Sequence, residues 1–136
     1  MGGEGNEFFP WGPFEEEPSE RDVERLNERT NFNMHIGDPT PVGVYPDGEG
    51  PHGHSDLAGN VWEWCLDTVS EAEEQRLNKE FADFKERHAL EGYIHFSMGG
   101  SWWSEGVRVL AAAYRSRNWA SSRNDNYGFR MCLREP

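Results

Sequence analysis

Between Asn31 and Asn60 the chain is broken by Pro39, Pro41, Pro46, Gly48, Gly50, Pro51 and Gly53, so neither a long helix nor a regular strand can run through its middle. Each proline removes a backbone donor and fixes φ, and each glycine admits turns that other residues resist. The same punctuation extends through the sequence, with 15 glycines and 8 prolines among 136 residues. That usage points away from a helix bundle and toward a loop-rich, turn-rich fold. The length suits one domain, just large enough to bury a core without staples. Six tryptophans and eight phenylalanines supply the large packing units that a hydrophobic content of 35% would otherwise lack.

Regular structure is expected on either side of the broken region. The stretch to Pro18 reads as loop. Ser19, with acidic residues behind it and Val23 and Leu26 at i,i+3, predicts a short helix ending near Asn31. Pro41–Tyr45 is strand-like, and Val61–Leu66 alternates large residues as a core strand does. From Ser70 to about His88 one helix is predicted. Leu77, Phe81, Phe84 and His88 make a single apolar stripe, with Ser70 as cap and Glu71, Glu73 and Glu74 at the positive helix start. Further strands are expected at Tyr93–Met98, Val107–Arg115 and Gly128–Cys132, with a polar loop over Ser116–Asn126 between the last two.

The formal net charge of −12 repels phosphate backbones, so no nucleic-acid partner is expected. Two readings of the acidity stay open, solubility and the binding of a cation such as calcium. No apolar run approaches the ~18 residues of a spanning helix, so no membrane insertion is expected. The N-terminus lacks the basic-then-apolar pattern of a signal peptide. Cys65 and Cys132 are too few and too far apart for a zinc site, and a disulfide between them is neither implied nor excluded.

Three segments carry a more specific signal: Asp56-Leu57-Ala58-Gly59-Asn60-Val61-Trp62-Glu63-Trp64, then Gly99-Gly100-Ser101-Trp102, then Gly128-Phe129-Arg130. In that order they resemble the hallmark motifs of the formylglycine-generating enzyme (sulfatase-modifying factor) family. Phe9-Pro10-Trp11-Gly12 and Pro41-Val42-Gly43-Val44-Tyr45-Pro46 resemble its weaker upstream signatures. The resemblance implies one α+β domain over 1–136 with the C-type-lectin-like, formylglycine-generating-enzyme fold. That fold is loop-rich, with short antiparallel strands and two helices. Its N-terminal part is expected to be reduced, lacking the family's usual N-terminal half. Trp62, Trp64, Trp102 and Phe129, as motif residues, are expected to be buried. Gly59-Asn60 is suited to a positive-φ turn into the strand.

The resemblance also implies sites. A structural calcium ion would be held by the side chains of Asp56 and Glu63 and the carbonyls of Gly59 and Val61. The residues by themselves offer another role, Asp56 capping the turn and Glu63 pairing with an arginine. Enzymes of the family use a cysteine pair to hold copper(I), a soft metal that prefers thiolates. The matching stretch, Trp103–Leu110, has no cysteine, and its nearest positions are Ser104 and Val109. No copper and no oxidase activity are expected. The sulfoxide-synthase branch uses a three-histidine iron site on a separate helical domain, a context that His35, His52, His54, His88 and His95 lack.

A third branch, the variable proteins of diversity-generating retroelements, displays a ligand-binding surface between Gly-Gly-Ser-Trp and Gly-Phe-Arg. The segment Arg115–Arg130 resembles such a region, although Trp119 and a missing proline near Ala120 depart from it. This branch implies a non-catalytic domain binding a protein or small-molecule ligand on its C-terminal loop face. The residues implied are Trp103, Ser104, Glu105, Val107, Tyr114, Ser116, Asn118, Trp119, Ser121, Asn124, Asp125 and Tyr127, types suited to adaptable recognition. Arg115, Arg123 and Arg130 are expected to fasten loops through backbone carbonyls. The alternative is an enzyme of the sulfatase-modifying or sulfoxide-synthase type, diverged or completed by another chain.

Overall fold

Gly59 and Asn60 both take positive φ, +78° and +63°, and turn the chain sharply into its central strand. A Cβ at Gly59 would collide with the Thr30 hydroxyl and the Asn31 carbonyl, so this turn requires glycine. Asn60 is buried and knots three loops together. Its N–H donates to the Asn31 carbonyl, its carbonyl accepts from Trp102 N–H, and its amide exchanges two hydrogen bonds with the Thr40 backbone.

The computed structural model describes residues 8–13 and 20–131. A two-residue hairpin pairs β1 (Phe8–Phe9) with β2 (Gly12–Pro13), and α1 (Glu20–Asn27) follows. The middle of the chain is turns with one short 3-10 helix, Pro46–Gly48. Then come β3 (Trp62–Thr68), α2 (Glu71–Glu80), α3 (Ala82–Arg87) and β4 (Ile94–Met98). A second 3-10 helix, Val107–Leu110, leads to β5 (Ser116–Trp119) and β6 (Tyr127–Gly128). The sheet order is β5-β4-β3-β6, antiparallel except where β6 runs parallel to β3.

Among the described residues two apolar clusters hold the fold. Phe9, Leu26, Phe32, Ala58 and Leu110 form one, against which Trp11, Val23, Val107 and Val109 pack. Val69, Leu77, Ile94 and Trp119 form the other, flanked by Leu90 and Phe96. Burial of side chains this large contributes about 1.5–3 kcal/mol each before entropy is counted.

Several expectations change. The helix predicted from Ser70 to His88 is two helices, so the described residues hold three α-helices in place of the two expected. Ser70 does cap the first, its hydroxyl accepting from Glu73 N–H. The break falls at Phe81, whose φ and ψ of −111° and 26° are off the helical values. Pro41–Tyr45 is turn rather than strand, because Gly43 takes φ +82° and gives its N–H to the Asp56 carboxylate. The strand predicted over Val107–Arg115 is absent: Val107–Leu110 is a 3-10 helix with Leu110 fully buried, and irregular chain follows to Arg115. The supposed polar loop at Ser116–Asn126 opens as the edge strand β5. Phe129, expected in the core, is 74% exposed. The Ser19 cap and Cys132 lie outside the described residues.

Candidate functional site

Alternation along β3 puts Trp62 and Trp64 on one face of the sheet and Glu63 on the other. Trp64 is paired with Ser97, Ser97 with Ser116, His95 with Asn118, and Trp62 with Tyr127. Directly opposed residues share a face, so these pairings gather Trp62, Trp64, His95, Ser97, Ser116, Asn118 and Tyr127 on one side. The side-chain contacts agree. Tyr127 stacks on Trp64 with centroids 5.0 Å apart, and His95 meets the same indole edge-on at 6.5 Å. Tyr114 leans on Trp62 at 6.1 Å. Asn118 Nδ2 donates to the hydroxyls of Ser97, at 3.0 Å, and Ser116, at 3.4 Å. Burial raises the Tyr127 phenol above its ordinary value, so it stays a neutral donor and acceptor at physiological pH. Apart from buried Ser97, all these side chains are half-buried or exposed.

The twelve residues implied for ligand binding do not form one surface. Tyr114, Ser116, Asn118 and Tyr127 belong to the aromatic face. Trp103 is exposed and stacks on buried Trp102 at 5.8 Å, beside exposed Glu105. The Ser104 hydroxyl accepts from Ser101 N–H at 3.0 Å and closes a turn. Val107 packs against the first core cluster. Trp119 is a core residue, 8% exposed, its Nε1 donating to Asn78 Oδ1 at 3.1 Å. It must point inward because its partner across the ladder is buried Ile94. The Ser121 hydroxyl accepts from Glu91 N–H at 2.6 Å, while Asn124 and Asp125 are exposed. Trp62, Trp64 and His95 were missed as surface residues. The alternation that places them was legible, but their ladder partners lie too far along the chain for any local pattern to reveal.

The arginines act as expected. Arg115 donates to the carbonyls of Ala112 and Tyr114, and Arg123 to those of Ala120 and Ser122. Arg130 donates to the carbonyls of Ser55 and Asp56 and grips both oxygens of Glu63 at 2.6–3.1 Å. This arrangement does not fit the calcium set implied for Asp56, Gly59, Val61 and Glu63. A guanidinium holds the Glu63 carboxylate, and the Asp56 carboxylate caps Gly43 instead. Among the described residues no three His, Cys, Asp or Glu side chains gather as a metal site. Nor do the copper positions supply soft ligands, since Ser104 closes a turn and Val109 packs in the core. Cys65 lies half-buried on β3. Burial pushes its thiol pKa up, Arg115 opposes, and Asp67 and Glu63 add to the rise, so the thiolate is disfavoured.

Residues 1–135 match the sulfatase-modifying factor enzyme 1-like domain family. The chain belongs to this family. Among solved structures the fold matches Treponema denticola variable protein 1 with a TM-score of 0.55 and 20% identity, over 78% of this chain and 36% of that one. The architecture is thus the α+β, C-type-lectin-like one. Curated relatives include serine/threonine-protein kinase pkn1 of Chlamydia caviae, 32% identical over 108 residues, and Pkn1 of Chlamydia trachomatis serovar L2, 35% identical over 112. Each alignment covers 76% of this sulfatase-modifying-factor-type domain but 16% of the relative's length. No helix among the domain's described residues is long and apolar enough to cross a membrane.

Proposed function

We propose that this domain is a recognition module without chemistry of its own, which takes a protein or small-molecule ligand on the aromatic face of its sheet. The observation that carries the reading is the convergence of Trp62, Trp64, Tyr114 and Tyr127 with His95, Ser116 and Asn118 on that face. Rigid aromatic rings give contact area at little entropic cost, and short polar groups adapt to many partners. The likeness in fold to a variable protein supports a display role for a scaffold of this kind. The kinase names of the Chlamydia relatives suit a module of this sort joined to a catalytic part, since the matched stretch is 16% of each. The positions that would carry copper in an oxidase instead serve packing and a turn.

A library randomised at Tyr114, Ser116 and Tyr127 and selected against hen lysozyme as an arbitrary protein target tests the reading. Most members should melt within a few degrees of the parent, and selection should return binders whose affinity depends on the chosen residues. Folded libraries that return no binder, or binders indifferent to those residues, would refute it.

A further inference from the structure

We propose that a cleft on the opposite side of the sheet, between α2–α3 and β5, is a separate binding site for small amphipathic carboxylates. Its apolar lobe has a volume of about 260 Å³ and is walled by Leu77, Phe81, Phe84, Ile94 and Trp119, with Arg117 and Asn118 at its edge. A second lobe of about 420 Å³ adjoins the first, with Phe84, Asn118 and Trp119 lining both. Beside the apolar Phe84, Leu90 and Trp119, this lobe is lined by the polar Ser121, Ser122, Arg123 and Asn124. Volumes of this order suit small ligands.

The apolar wall is set before any ligand arrives. Asn78 Oδ1 accepts from both Trp119 Nε1, at 3.1 Å, and Lys85 Nζ, at 2.9 Å, which ties the indole to α2 and to α3. His88 stacks on Phe84 at 4.2 Å and fixes that ring's outer side. Phe81 and Phe84 are nevertheless each 43% exposed, so a ligand's apolar part would remove aromatic surface from water.

The charge among the cleft's polar residues selects the head group. Arg117 is neutralised by Glu73 at 2.8 Å and lies over the Phe96 ring. Arg123 differs. One of its nitrogens fastens the loop through two backbone carbonyls, and among the described residues no carboxylate pairs with it. A guanidinium with no carboxylate partner among the described residues, lining the same lobe as Phe84, Leu90 and Trp119 in a protein of net charge −12, is the complement of a carboxylate. An acid with an aromatic or short aliphatic tail satisfies both ends at once. The cleft shares Asn118 but no ring with the aromatic face, and its failure would leave the recognition reading standing.

The test titrates the 15N-labelled protein with 4-phenylbutyrate, with its neutral amide and with acetate. Phenylbutyrate should give saturable shifts at the Trp119 indole N–H and at the amides of Phe84, Ser121 and Arg123. It should bind about fivefold or more tightly than the amide at low salt, and acetate should give no saturable shift there. Arg123→Gln should bring the acid down to the level of the amide, and Phe84→Ser should weaken both. Should Arg123→Gln disturb the loop, the acid–amide comparison on the unaltered protein decides alone. Equal affinity for acid and amide, no saturation below about 10 mM, or shifts centred on Tyr114 and Tyr127 would overturn the proposal.

Discussion

At Arg130 one guanidinium joins the central motif to the end of the sheet, through Glu63 and the carbonyls of Ser55 and Asp56. Without it Glu63 keeps a half-buried charge and loses its partner. Arg130→Ala is expected to lower stability by about 2 kcal/mol, and Arg130→Lys to recover part of that, because an ammonium cannot match the two-pronged grip. Urea melts of the two variants check this. Calcium would have to displace that guanidinium, so melting curves with calcium and with chelator should superpose; an upward shift with calcium would restore the metal reading. A second contrast concerns two aromatic residues whose roles are exchanged relative to their motifs. Trp119→Ala should cost about 3–5 kcal/mol, as truncation of buried aromatics does, and Phe129→Ala about 0.5 or less. Tyr127 adds a pH dependence. Its phenol is raised above 10.0 by burial in the folded state, so the unfolded chain releases that proton first. Its contribution is therefore intact below about pH 10 and lost as pH climbs beyond. Tyr127→Phe should flatten this alkaline part of the melting profile.

Elements were legible where the signal is local. The Ser70 cap, the acidic first turn of α2 and the positive φ of Gly59 and Asn60 follow from side chains acting on their own neighbourhood, and each is present. The position of β3 followed from the alternation over Val61–Leu66. What failed depends on distant partners. Ser116–Trp119 looks polar, yet it is a strand because β4 offers it a free edge and Ile94 draws Trp119 inward. The stripe of Leu77, Phe81, Phe84 and His88 implied one continuous helix, but of these residues Leu77 alone is buried. Phe81, Phe84 and His88 stay exposed, and the helix is interrupted at Phe81. Helix α3 contributes no residue to the core, so its amide protons should exchange well ahead of those in β4 and in the second turn of α2. Hydrogen-exchange mass spectrometry would show this. Equal protection along 71–87 would mean that the two helices open as one unit.

For the molecule as a whole, the segment from Ser116 to Asp125 is part scaffold and part surface. Free substitution at Asn124 and Asp125 should leave the melting temperature nearly unchanged. Ser121, which accepts Glu91 N–H, and Asn118, which bonds Ser97, should each lose a degree or more when replaced by alanine. The candidate site was half visible in the sequence, since Tyr114, Ser116, Asn118 and Tyr127 were named, whereas their companions Trp62, Trp64 and His95 come from strands placed by the sheet order. That order has another consequence. Strands β3, β4 and β5 are laid down in sequence, but β6 returns across two strands to pair with β3, and the Arg130–Glu63 contact spans 67 positions. Strands β3, β4 and β5 can pair in chain order, whereas the outer edge of β3 stays open until β6 arrives, so partly folded molecules present an unpaired strand edge to one another.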